Sequence, residues 1–279
     1  VETDHLIGLW QSLYENGVRA NLDRGAWGAD LDAEHRLPGF DHMFIWREDE
    51  TIDLGLMWAS KDKRGRGDYP MIACVSATWM GLGWLCAHAP AVLTELRAAC
   101  EATQERDGVI RARESAFASL QAAAEGSLPV SFHESAGGAV EGVRVAPGFA
   151  EAPEQFFRWL YHLEREFGFC DARGGRSDDP VTAQHLRLPV LDGEGVDSIR
   201  MWIAAMGAVL PRLPLMACRA RARGRIDVRV GSPGVPARFP LLVDVSLPPP
   251  VPEIPYCNAP ARPPRPAPAG PGIRPPAPM

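Results

Sequence analysis

The chain has 279 residues, of which 46% are apolar, and a formal net charge of −6. That length buries a sizeable core in one large domain or two small ones, and that apolar fraction excludes disorder over most of the chain. The acidic balance argues against a dedicated nucleic-acid binder, although local basic clusters exist. The six cysteines show no C-x-x-C, and Cys74, Cys86, Cys100 and Cys218 sit in apolar surroundings. They read as reduced, buried small hydrophobes of a cytoplasmic protein rather than as a disulfide framework. No signal peptide and no apolar run of membrane-spanning length is found. Because the chain opens at Val1 without a methionine, a missing N-terminal piece is an expectation.

Leu6, Leu9, Trp10, Leu13 and Tyr14 recur at helical spacing, which predicts a helix from Asp4, as N-cap, toward Leu22. Gly17 weakens its middle by about 1 kcal/mol relative to alanine. A short second helix covers Trp27 to Ala33, Leu37-Pro38-Gly39 breaks the chain, and Met43 to Trp46 reads as a strand. Arg47 to Thr51 is a polar turn into a central hairpin. Its first arm, Ile52 to Ala59, alternates Leu54, Leu56 and Trp58 with smaller residues. Its second arm, Met71 to Ala77, is nearly all apolar, as in a strand covered on both faces. The loop between them carries Lys61, Lys63, Arg64 and Arg66 against Asp62 and Asp68, too many charges for a core.

Trp79 to Leu85 is apolar, with Gly81 and Gly83 marking close packing or a bend. A long helix is predicted from Pro90, a fitting first-turn residue, interrupted at Asp107-Gly108 and resumed from Val109 to Ala124. Residues 126–152 read as an irregular linker between possible lobes 1–125 and 153–247. Pro153 opens a helix with the stripe Phe156, Phe157, Leu160, Leu163 and Phe167. His185 to Val190 alternates as a strand, Asp197 or Ser198 caps a helix toward Leu210, and Leu213–Cys218 with Ile226–Val230 form a second hairpin. Phe239 to Val245 is a last helix or strand. From Pro248 the chain is a proline- and alanine-rich tail, disordered or polyproline-like by composition. The element order points to an α/β protein, a single domain over 1–247 with helices covering a mixed sheet.

Catalytic patterns are sparse. The seven histidines show no metal-ligand spacing, and there is no nucleophile elbow or phosphate-cradling loop. Asp41-His42 and His162 with Glu166 are the nearest candidates, the latter reading as a helix-surface pair. Cys170 lacks an activating base nearby in sequence. Arg219, Arg221, Arg223 and Arg225 have two readings. They project from one face and hold phosphates or an acidic partner, or they are gatekeeping charges on an exposed hairpin; the second is favoured.

The run Gly8-Leu9-Trp10-Gln11-Ser12-Leu13, then Gly17 to Ala20, Trp27 and Pro38-Gly39-Phe40 resembles the early part of the TagF/ImpM family of type VI secretion-associated proteins. The nearest match is Ser60-Lys61-Asp62-Lys63-Arg64-Gly65-Arg66-Gly67-Asp68-Tyr69-Pro70-Met71. It is similar to that family's S-x-D-x-x-G-R-[x]-[YF]-P-[LM] signature, with one extra residue between Arg66 and Tyr69. The resemblance covers residues 5–80, and the family's opening G-K-[LM]-P…G-D-F motif is absent. What it implies is a three-layer α/β/α sandwich, helices on both faces, in the bacterial cytoplasm. It further implies a non-enzymatic protein without cofactors that represses type VI secretion after translation. The implied partner is the forkhead-associated scaffold protein of the secretion machine, with no nucleic acid and no membrane span.

The signature residues also have a purely physical reading. Ser60 and Asp62 can bond backbone amides of the turn, Gly65 supplies a positive φ, Arg66 folds back onto Asp62, and Pro70 opens a strand where no N–H is needed. Staple and binding epitope both stay open for Lys63, Arg64, Tyr69 and their neighbours. Two readings compete with the regulatory one. One is an enzyme with an unrecognised site in a cleft beside the Ser60–Tyr69 loop; the other is a module docking its proline tail into aromatic grooves.

Overall fold

The computed structural model describes residues 4–23, 40–60, 70–103, 105–126, 184–190, 196–209, 214–220 and 225–230. The expected helices at 27–33 and from Pro153, the Leu37–Gly39 break, the linker beyond Gly126, the segment 239–245 and the proline-rich tail lie outside them.

Strands β1 (Asp41–Glu48), β2 (Thr51–Ala59), β3 (Pro70–Thr78), β4 (Gln184–Pro189), β5 (Leu215–Ala220) and β6 (Arg225–Val230) form one sheet. Its order is β3-β2-β1-β5-β6-β4, so strands from both halves of the chain meet at the β1–β5 ladder. Every ladder is antiparallel, which corrects the expected mixed sheet. The reason lies in β6. It pairs antiparallel with both β4 and β5, so those two strands run parallel but are held apart and never pair directly. The central hairpin stands as the alternation predicted, with β2 paired to β3 from Thr51↔Thr78 to Ala59↔Pro70. β1 and β2 are joined by the two-residue turn Asp49-Glu50, where Asp49 takes a φ of 49°, a left-handed value that aspartate tolerates.

Period-two alternation divides the sheet's side chains into two sets. Met43, Ile45, Ile52, Leu54, Leu56, Trp58, Leu215, Ala217, Ile226, Val228 and Val230 belong to one buried cluster. Helix α3 (Leu82–Glu101) packs into it through Leu82, Leu85, Cys86, Ala89 and Leu93, and helix α5 (Val196–Val209) through Ile199, Trp202, Ile203 and Met206. Phe44, Trp46, Met57 and Met216 point the other way, into a second cluster with Phe40, Leu9, Leu13 and Val18. β3 is an edge strand and is mostly half-buried, with Ser76 and Thr78 exposed, so the expectation of cover on both its faces is corrected.

The N-terminal helical run begins at Asp4 and reaches Asp23, but only its ends are α-helical: α1 (Asp4–Trp10) and α2 (Ala20–Asp23) flank a π-helical stretch, Gln11–Arg19. Its buried residues explain the change of pitch. Leu9 to Leu13 is a spacing of four, and Leu13 to Val18 a spacing of five, which an α-turn would rotate out of line. Trp10 is pushed to the outer side, half exposed, and stacks on Tyr14 with ring centroids 5.4 Å apart.

Helix α3 starts eight residues before the predicted site, after a single 3-10 turn at Trp79–Gly81, and Pro90 lies inside it. Proline removes one amide from the helix, but burial of Leu85, Cys86, Ala89 and Leu93 along one face carries the helix through. The interruption before α4 (Arg106–Gly126) falls at Ala102 to Glu105 instead of Asp107-Gly108. Gly108 fits a tight corner there: a Cβ on it would stand 2.3 Å from Thr103 Oγ1. None of α4 is fully buried; Val109 and Ala112 pack half-buried against the first cluster.

Arg47 is a buried cation that ties three elements together. Its guanidinium lies 5.0 Å from the centre of the Trp79 ring, and Nη1 donates to the Gly207 carbonyl of α5 at 3.4 Å. A Cβ on Gly207 would sit 2.7 Å from that same nitrogen. Gly55 answers a similar need across the sheet, opposite Phe44. A Cβ there would stand 2.2 Å from Phe44 Cζ and 2.9 Å from the Ala73 carbonyl oxygen. Gly55→Ala should therefore destabilise the fold by about 1–3 kcal/mol through overpacking. A lower urea midpoint at unchanged m-value is the expected reading; an unmoved midpoint would show that the ring has room to yield.

Candidate functional site

The signature loop is anchored at both ends by the structure. Ser60 follows the last residue of β2, and Pro70 opens β3 opposite Ala59, where a missing N–H costs no ladder bond on the outer edge. Pro70 is buried and Ser60 half-buried. Ala59 N–H also donates to the Phe40 carbonyl at 2.9 Å, fixing the strand end beside β1. Lys61 to Tyr69 lie outside the described residues, and with them Asp62, Lys63, Arg64, Gly65 and Arg66 and the expected Asp62–Arg66 brace.

The basic hairpin is corrected in its geometry. Arg219 pairs with Met43 and belongs to the face of the first cluster, whereas Arg225, Asp227 and Arg229 alternate with the buried Ile226, Val228 and Val230 and point to the other face. Arg219 and Arg225 therefore do not share a face. An even-numbered residue, Cys218, pairs with an odd-numbered one, Asp227, and this phase change across the turn separates arginines that alternate evenly in sequence. Arg221 and Arg223 lie outside the described residues.

The face that receives Arg225 also carries a group of polar residues. His42 on β1, Cys218 on β5, and Asp227 and Arg229 on β6 lie on three adjacent strands, on the face that also carries Phe44 and Met216. His42 and Arg229 are buried, 4% and 9% exposed. Burial lowers the His42 pKa to about 4, against the opposing pull of Asp41 and Asp227. Its Nδ1 accepts the Asp41 amide hydrogen at 3.2 Å, which places the ring proton on Nε2. Burial also lowers the Arg229 pKa to about 10, again with Asp227 opposing. On the next strand, β4, the backbone register sets His185 opposite Arg229 and Arg187 opposite Asp227.

A separate polar pair sits on the same face between β2 and β3. Asp53, fully buried, accepts a hydrogen bond from Ser76 Oγ at 2.5 Å. Burial, with the Asp53 charge beside it, pushes the Cys74 thiol up to about 12, so this cysteine is an unreactive neutral group. Nor is His42 set up as a base: a neutral imidazole whose Nδ1 already accepts an amide has only a donor left at Nε2. The arrangement is suited to holding and hydrogen-bonding, with a cation at Arg229 and a donor at His42. Among the described residues no group of three or more His, Cys, Asp or Glu is placed to hold a metal ion, and no helix is long and apolar enough to cross a membrane.

The sequence reading singled out Asp41-His42 but missed Asp227 and Arg229. Their signal was available in Arg225-Ile-Asp-Val-Arg-Val, where strict alternation puts three charged residues on one side of a strand. No family model, no curated protein and no solved structure matches the chain.

Proposed function

We propose that the protein is a non-enzymatic, cytoplasmic accessory of a type VI secretion system that acts by protein–protein contact, in the manner of the TagF/ImpM family. The observation that supports this reading is the setting of the signature loop. Its two ends are clamped by the continuous β2–β3 ladder at the sheet's edge strand, so that residues 61–69 span the end of a rigid hairpin. A scaffold of that kind presents a binding loop at low entropic cost. The reading also takes the fold as a three-layer α/β/α sandwich. α1 and the π-helical stretch would form one outer layer and α3 with α5 the other, in line with the two clusters.

The partner in this reading is an acidic surface on the forkhead-associated scaffold protein. Lys61, Lys63, Arg64 and Arg66 oppose only two carboxylates on an otherwise acidic chain, and such a spot speeds association in a salt-dependent way. Lys63→Glu with Arg64→Glu should slow association several-fold at low salt, flatten its salt dependence and leave the unfolding curve unchanged. Stopped-flow or surface-resonance rates over a salt series measure it. Equal rates for both proteins would remove the loop as docking surface, and failure of the scaffold protein to co-purify from native lysate would overturn the reading itself. Asp62→Ala separates staple from epitope. A loss of about 1–2 kcal/mol in stability marks a staple; unchanged stability with lost binding marks an epitope.

A further inference from the structure

β3 is one of the two outer strands of the sheet, and two bonds fix the hydrogen-bond phase of the ladder beside it. Trp79 N–H, one step past the end of β3, donates to the Glu50 carbonyl at 2.7 Å. On the far side of β2, Ala59 N–H donates to the Phe40 carbonyl at 2.9 Å, so Ala59 faces β1. In an antiparallel pair the backbone groups of successive residues point alternately toward the partner and away from it. Both bonds give the same phase. Met71, Ala73, Val75 and Ala77 turn their amides and carbonyls to β2, whereas Ile72, Cys74, Ser76 and Thr78 turn theirs outward. Pro70, which has no N–H, falls in the outward set. The two edges of the sheet also differ in protection. β4 has His185 and Arg187 and closes on Pro189 within six residues. β3 runs for nine residues without a charged side chain, and its one edge-breaking residue, Pro70, stands at its very start.

We infer that β3 is the docking edge for a second copy of this chain, paired antiparallel across a two-fold axis at Cys74 so that two sheets become one. The occupant follows from self-complementarity, which a two-fold contact requires. In this register Cys74 meets its own copy and Ile72 meets Ser76, so each outward amide finds an outward carbonyl. Pro70 falls opposite Thr78 at the two ends, where its missing amide costs least. Met71, Ala73, Val75 and Ala77 are the half-buried fringe of the first cluster. Across the axis Met71 comes opposite Ala77 and Val75 opposite Ala73, a larger residue against a smaller one each time. No like charges meet, because the strand has none. The 61–69 loops then leave from opposite ends of the paired strands, and the pairing does not depend on the secretion reading.

Sedimentation velocity of the full chain over a dilution series should show a monomer–dimer equilibrium. Amide exchange followed residue by residue should slow at Ile72, Cys74 and Ser76 as concentration rises. Ala73, Val75 and Ala77, bonded to β2 in either state, should not change. That alternation separates pairing along this edge from association anywhere else. Cys74→Pro removes the amide at the axis but no bond of the β2–β3 ladder, and should weaken association by about 30-fold or more. Thr78→Pro removes an end amide and should weaken association several-fold. Thr78 already has a φ of −72°, the value proline imposes, so the fold tolerates this variant, and it decides the matter if Cys74→Pro does not fold. A monomer at every concentration, exchange at Ile72, Cys74 and Ser76 that ignores concentration, or undiminished association in either folded variant each overturns the assignment.

Discussion

Trp58→Ala should be the most damaging single truncation in the sheet, lowering stability by about 3–5 kcal/mol. The indole is 1% exposed and lies in the cluster that α3 and α5 share with β2. Its removal leaves a cavity at the edge of the sheet's best-covered face, where α3 cannot collapse without losing Leu85 and Leu93 from their own contacts. Trp10→Ala is the internal comparison. That ring is 50% exposed and rests on Tyr14, so its loss should move stability by no more than about 1 kcal/mol. Urea unfolding of the two variants beside the natural chain gives both numbers. Equal losses would mean that the N-terminal helical run, not the sheet, holds the fold together.

These two tryptophans also show what the sequence disclosed and what it withheld. Trp58 sits in a period-two pattern with Leu54 and Leu56, and a strand needs nothing beyond that pattern to decide which way a side chain points. Trp10 sits in a pattern that fits an α-helix, and the burial of Val18 five residues after Leu13 changes the pitch and turns the ring outward. The same distinction runs through the rest. The β2–β3 and β5–β6 hairpins and the α5 helix were legible because each is a local pattern. The antiparallel order of the sheet was not, because it depends on β6 inserting between β4 and β5, a pairing no short window contains. Pro90 misled because its usual first-turn role is a local preference, and the buried face of α3 overrides it. Within the candidate site His42 could be flagged by type, but its neighbours come from strands about 180 residues away in the chain, and only the register joins them.

Acid should weaken the fold through His42, by about 3 kcal/mol between neutrality and the pKa of the buried ring. The ordinary value is 6.5 and burial lowers it to about 4 in the native state. The unfolded chain therefore binds a proton first as the pH drops, and the native state does not. Stability from this group is complete above about 6.5, falls through the interval, and is lost once the pH passes below about 4. The hydrogen bond gives the same sign: a proton on Nδ1 would face the Asp41 amide hydrogen that this nitrogen accepts at 3.2 Å. His42→Asn keeps an acceptor of similar reach and removes the titration. The variant replaces a buried ring with a smaller side chain and so starts from a different absolute stability, which makes the slope rather than the level diagnostic. Carboxylates elsewhere titrate in both proteins and cancel in the difference. Unfolding free energies measured by urea from about pH 7.5 to about pH 4 should fall more steeply for the natural chain than for the variant. Parallel curves would mean that His42 is solvated in the native state and that the polar group on this face of the sheet opens to water.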